Sequence, residues 1–101
     1  MKSLIRYKTK PESADENQRL VERVYAELKA RDPGAVHYAT LRLADGVTFL
    51  HLFTTDSDDG ANTLGGIAAF AEFLRDLPQR CAEAPVAQDV TVVGSYRVFG
   101  R

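Results

Sequence analysis

VHYATLRLADGVTFLHLFTT, residues 36–55, sets two β-rich runs around Asp45-Gly46, the strongest short-range signal for a β-hairpin. A two-residue turn there pairs Ala44 with Val47. Counting outward, it pairs Arg42 with Phe49, Leu41 with Leu50, Thr40 with His51, and Tyr38 with Phe53. Directly paired residues share a face of the sheet. One face then carries His37, Ala39, Leu41, Leu43, Leu50 and Leu52, the aliphatic surface expected to lie beneath helices. The other carries Tyr38, Thr40, Arg42, Phe49, His51 and Phe53. Too aromatic to stand in water as one patch, this second face is expected to be buried by a second copy of the chain.

The flanking segments complete a plan. SLIRYKT, residues 3–9, alternates as a strand and stops before Pro11. SADENQRLVERVYAELKARDPG follows, with Ser13 and Glu16 at capping-box spacing and Leu20, Val21, Val24, Tyr25 and Leu28 on one stripe; it predicts a helix. Beyond the hairpin, Ile67, Phe70, Ala71 and Leu74 recur at helical spacing, and Pro78 breaks or kinks the run. DVTVVGSYRVFG, residues 89–100, reads as the last strand, with Val90, Val92, Tyr96 and Val98 on one face if no bulge intervenes at Gly94. The order β-α-β-β-α-β is the ferredoxin-like α+β plan, one domain over residues 1–101 with a four-stranded antiparallel sheet.

With LIRYKTKP at its start, YATLRLADGVTFLHL in its middle and GSYRVFG at its end, the chain resembles the dimeric α/β-barrel superfamily, near its antibiotic-biosynthesis-monooxygenase branch. The resemblance implies a homodimer with its two sheets face to face and a small pocket between sheet and helices in each subunit. Proteins of this kind include cofactor-free oxygenases of polycyclic aromatics and haem-degrading enzymes. The chain departs from them in having no Trp, which several of the oxygenases place in the pocket, and no His on the second helix, where the haem degraders carry their iron ligand. The resemblance therefore implies no haem and a weakened case for oxygenation.

At 101 residues the chain is large enough for a core, and its 45% hydrophobic content fits an ordered globule. Charged residues are 27% of the chain, scattered and nearly balanced at net −1, so nothing favours nucleic acid or anionic lipid. Cys81 is the only cysteine, which excludes an internal disulfide and a cysteine-built zinc site and fits a reducing compartment, the cytoplasm by default. No apolar run approaches the roughly 20 residues of a membrane helix, and no signal peptide is evident.

HLFTTDSDDGANTLGG, residues 51–66, looks most like a motif. Its spacing fits neither a calcium loop nor a phosphate loop, so Asp56, Asp58 and Asp59 read as solvated loop charges. Asn62 reads as a helix cap or a ligand donor at a pocket mouth. The weak candidates for catalysis are His51 and His37, and those for ligand binding are Tyr25, His37, Asn62 and Phe70. The two histidines fall on opposite faces, which argues against a shared metal ion; no metal and no cofactor are expected. Arg6 and Arg42 read as strand residues that meet acids of a partner copy, with a carboxylate or phenolate ligand as the alternative, and Cys81 as a structural thiol. Tyr7, Tyr25, Tyr38 and Tyr96 read as core aromatics or as pocket donors.

Three functions fit these features. The preferred one is a homodimer with a small hydrophobic ligand pocket. The alternatives are a cofactor-independent monooxygenase of a small aromatic or polyketide-like substrate, and a structural or accessory dimer with no ligand.

Overall fold

The computed structural model describes residues 2–34, 36–55, 64 and 66–98. In chain order they form β1 (Lys2–Thr9), α1 (Ala14–Arg31), β2 (Val36–Arg42), β3 (Thr48–Thr55), α2 (Ala68–Arg75), the single-turn α3 (Leu77–Arg80) and β4 (Cys81–Asp89). The strands lie in the order β2-β3-β1-β4, each antiparallel to its neighbour, in an open four-stranded sheet. This is the ferredoxin-like α+β arrangement.

The hairpin has the predicted register, with Arg42 opposite Phe49, Thr40 opposite His51 and Tyr38 opposite Phe53. Its turn is longer than two residues. The Leu43 N–H donates to Thr48 O, and the Gly46 N–H donates back to Leu43 O, both at 2.9 Å, so residues 44–47 make the loop. A four-residue loop has the same parity as a two-residue one, which preserves the register. Gly46 takes the left-handed conformation, φ +79°, that the turn requires. Asp45 locks the loop by accepting the Thr48 hydroxyl and the Val47 and Thr48 amides, and these bonds hold its carboxyl down at about 2.

The assignment of faces is reversed from expectation. The helices cover the aromatic side: Phe49, His51 and Phe53 of β3 and Tyr7 of β1 are buried beneath Val21 and Val24 of α1, Phe73 of α2 and Leu77 of α3. Of the residues expected at a contact between two copies, Tyr38, Phe49, His51 and Phe53 are thus enclosed by the chain's own helices. Arg42 lies at the edge of the same face, ion-paired to Asp15 of α1 at 3.1 Å and 5.6 Å from the centre of the Phe49 ring. The aliphatic side, with Leu4, Ala39, Leu41, Leu50, Leu52 and Val86, is the one without helices. Long rings suit the deep space under two helices, whereas short aliphatic chains make a flatter layer.

The last strand also differs. It spans Cys81–Asp89, and residues 90–98 lie outside any strand. CAEAPVAQD has few β-branched residues and a proline, but it forms an edge, where proline is tolerated. Between Arg6 opposite Val86 and Lys8 opposite Glu83, Ala84 and Pro85 together face Tyr7, so Pro85 sits in a bulge.

Ser13 stands at the N-cap of α1 without a side-chain capping bond, contrary to the capping-box reading. The buried stripe of α1 is Ala14, Asn17, Val21 and Val24, with Leu20, Tyr25 and Leu28 on its flanks. α2 gives way to α3 at Asp76, just ahead of Pro78. The first amides of α2 donate to Glu27 of α1, Ala69 at 2.9 Å and Ala68 at 3.2 Å, and these bonds lower the Glu27 pKa. Asp56, Asp58, Asp59 and Asn62 lie outside the described residues.

Candidate functional site

Between β1, β3 and α2 lies a cavity of about 190 Å³, walled by Ile5, Tyr7, Tyr38, His51, Phe53, Phe70, Phe73, Leu74, Leu77 and Pro85. Each wall residue follows from the fold. Tyr7 and Ile5 alternate on the covered face of β1, Tyr38, His51 and Phe53 do the same on the hairpin, and the Pro85 bulge turns the β4 edge toward Tyr7. Among the described residues, the polar side chains in this wall are Tyr7, Tyr38 and His51.

Those three belong to one hydrogen-bonded chain. Arg80 Nε donates to Asn17 Oδ1 at 3.0 Å, and Asn17 Nδ2 donates to the Tyr7 hydroxyl at 2.8 Å. The Tyr7 hydroxyl lies 2.9 Å from His51 Nε2, and on the other side of the ring Nδ1 lies 2.6 Å from the Tyr38 hydroxyl. Thr40 Oγ1 is 3.3 Å from the same Nδ1 and 2.8 Å from the Tyr25 hydroxyl. No buried side-chain nitrogen or oxygen among the described residues lacks a partner. Such a chain keeps polar atoms inside an apolar core without orphaning any of them.

Burial dominates the acid–base behaviour here. It drives His51 down to about 4, so the ring is neutral at pH 7. It raises Tyr7 and Tyr38, and it pushes Tyr25 up to about 12, against the lowering effect of the Thr40 hydrogen bond. The described cavity wall therefore presents neutral donors and acceptors, with the Arg80 guanidinium set behind Asn17 and Phe73.

The structure unites some of the candidates and separates others. His51 and Phe70 line the cavity. Tyr25 joins the hydrogen-bonded chain from outside the cavity wall. His37 projects on the opposite face of the sheet, with Ala39 and Leu52, and does not reach the site. Burial raises the Cys81 thiol. Sequence reasoning missed Asn17 and Arg80. A signal for Asn17 exists in its spacing, since it falls on the buried stripe between Ala14 and Val21; Arg80 carries none. A second groove, about 540 Å³ and lined mainly by charged residues, lies between α1 and the α2–α3 segment and is separate from this cavity.

No protein-family model matches the chain, and no curated protein matches it in sequence. Solved structures do. A provisionally assigned antibiotic biosynthesis monooxygenase from Caulobacter crescentus CB15 is 23% identical with a TM-score of 0.72, over 92% of this chain and 89% of that one. A second protein with that provisional assignment, from Nitrosomonas europaea, is 13% identical with a TM-score of 0.75, over 92% and 98%. SnoaB, a cofactor-independent oxygenase from Streptomyces nogalater, is 17% identical with a TM-score of 0.68, over 93% of each chain. At these identities the likeness carries the fold, and that fold is the ferredoxin-like one of the antibiotic biosynthesis monooxygenase-like proteins.

Proposed function

We propose that this protein is a cytoplasmic homodimer that binds a small, one-ring apolar molecule between its sheet and helices. The observation that carries the reading is the cavity of about 190 Å³, whose apolar wall is interrupted, among the described residues, only by Tyr7, Tyr38 and His51. A dry cavity of about 150 Å³ is enough to take up benzene, so this one suits a single substituted ring and is small for a polycycle. The dimer is supported by the aliphatic side of the sheet, where Leu41 and Leu43 stay 43% and 41% exposed. Two such sides facing each other would bury these leucines and leave each cavity with its own subunit.

A second reading, a cofactor-independent oxygenase, is favoured by the neutral imidazole in the cavity wall and by the fold shared with SnoaB. Magnitudes rank it below binding. His51 at about 4 would have to remove a proton from a phenol with an ordinary pKa of about 10, an uphill transfer of about 8 kcal/mol. Both ring nitrogens are also engaged by tyrosine hydroxyls. Only a substrate far more acidic than phenol would suit this base.

The test is a thermal melt of the full chain with toluene, phenol and catechol, followed by oxygen-electrode measurements on any ring that binds. A ligand selective for the native state raises the melting temperature. The expected result is a rise with at least one ring and no oxygen uptake. No rise with any of them removes the binding reading, and oxygen uptake that disappears in His51→Gln replaces it with the second.

A further inference from the structure

Arg80 is only 4% exposed, although it carries a full positive charge. Among the described residues the ion pairs are Arg23–Glu72, Arg31–Glu27 and Arg42–Asp15, and none includes Arg80. Its hydrogen-bond and ring partners among the described residues are neutral. Nε donates to Asn17 Oδ1 at 3.0 Å, Nη2 donates to Phe73 O at 2.7 Å, and the guanidinium lies 5.4 Å from the centre of the Phe73 ring. A guanidinium has five N–H donors, so these two bonds leave donors over. Burying a charge is strongly unfavourable unless an opposite charge or enough acceptors reach it.

The remaining donors have somewhere to go. Arg80 forms part of the wall of the groove of about 540 Å³ between α1 and the α2–α3 segment. Arg19, Arg23 and Arg75 line the same groove, with Glu16, Glu72 and Asp76 as its acids. Arg23 and Glu72 pair with each other at 3.2 Å, which leaves three arginines facing two acids. We infer that this groove binds a small oxyanion, a phosphate or carboxylate group, with the buried Arg80 as its anchor and Arg19 and Arg75 at its rim.

The chemistry of the site sets the class. A planar guanidinium presents its N–H groups in a fork that fits two oxygens of one anionic group, and it stays charged at any working pH. Asn17 and Phe73 fix the plane of this fork in advance, so little side-chain freedom is lost on binding. The groove and the apolar cavity are separate spaces joined through Asn17, which bonds both Arg80 and Tyr7, and an anion in the first does not require a ring in the second.

The experiment follows the arginine Nε–H resonances of the full chain while inorganic phosphate, and separately acetate, is added at ionic strength held constant with chloride. The expected result is a saturable shift of the Arg80 Nε–H with phosphate, with acetate, or with both; the pattern assigns the preferred oxyanion. Because Arg80 is buried and its replacement can unfold the chain, the double variant Arg19→Ala/Arg75→Ala carries the test. It should weaken binding about tenfold and leave the melting temperature unchanged. A response that never saturates, or saturation unaltered by the double variant, overturns the assignment.

Discussion

The Tyr7 hydroxyl lies 2.9 Å from His51 Nε2 and receives a hydrogen bond from Asn17 Nδ2 at 2.8 Å. These two contacts fix the direction of the whole chain. Arg80 Nε can only donate, so the Asn17 atom facing it is the oxygen and the amide nitrogen turns to Tyr7. The single Tyr7 hydrogen then goes to His51 Nε2, and a neutral ring keeps its own hydrogen on Nδ1, toward Tyr38 2.6 Å away. Nitrogen NMR of the imidazole at neutral pH is expected to find the Nδ1–H tautomer. The Nε2–H tautomer would mean that the donor order runs the other way.

Because burial lowers His51 from 6.5 to about 4, the unfolded chain binds a proton that the folded one refuses. Stability from this residue is complete above about pH 6.5, falls as the pH drops from 6.5 through 4, and changes no further below that. The gap corresponds to about 3 kcal/mol. Urea titrations at pH 7, 5.5 and 4.5 should show this loss, and His51→Gln should flatten it. A parent protein equally stable at all three values would contradict a buried neutral imidazole.

The middle and the Tyr25 end of the hydrogen-bonded chain should respond unequally to losing a hydroxyl. Tyr7→Phe leaves Nδ2 of the fully buried Asn17 and Nε2 of His51 without the hydroxyl they share, and should cost about 2–4 kcal/mol. Tyr25→Phe, at the half-buried end, removes one bond to Thr40 and should cost about 1 kcal/mol or less. Denaturation midpoints measure both. Equal costs would show that the chain does not depend on burial.

The register of the hairpin was legible because a glycine-marked turn fixes parity, and parity survives the difference between a two-residue and a four-residue loop. The choice of face was not legible. Both sides of the hairpin are apolar, and the polar atoms of His51 and Tyr38 look like surface chemistry until their partners are known. Those partners come from elsewhere: Asn17 is 10 residues from Tyr7, and Arg80 is 63 residues from Asn17. Only tertiary structure brings them together. The last strand was misplaced for a related reason, since VTVV at residues 90–93 reads as a strand by propensity; an edge strand with few sheet-forming residues can be held by pairing with β1 alone.

Phe49 and Leu50 are adjacent in sequence and point to opposite sides of the sheet, and replacing each with aspartate separates the two surfaces. Phe49 is 1% exposed and stacks on Tyr7 with ring centres 5.6 Å apart, in the core under α1. An unpaired carboxylate there costs several kcal/mol, a large part of the roughly 5–15 kcal/mol that holds a domain together, so Phe49→Asp should unfold the chain. Leu50, opposite Leu41 and Arg6, faces away from the helices and is half-buried. There the carboxylate stays within reach of water in a single chain and meets its counterpart's apolar layer only in a dimer. Leu50→Asp should therefore keep the circular-dichroism spectrum of the parent while sedimenting as one 11.2 kDa chain. A Leu50→Asp protein that remains dimeric would place the contact between copies somewhere other than the aliphatic side of the sheet, and a folded Phe49→Asp would undo the assignment of the covered face.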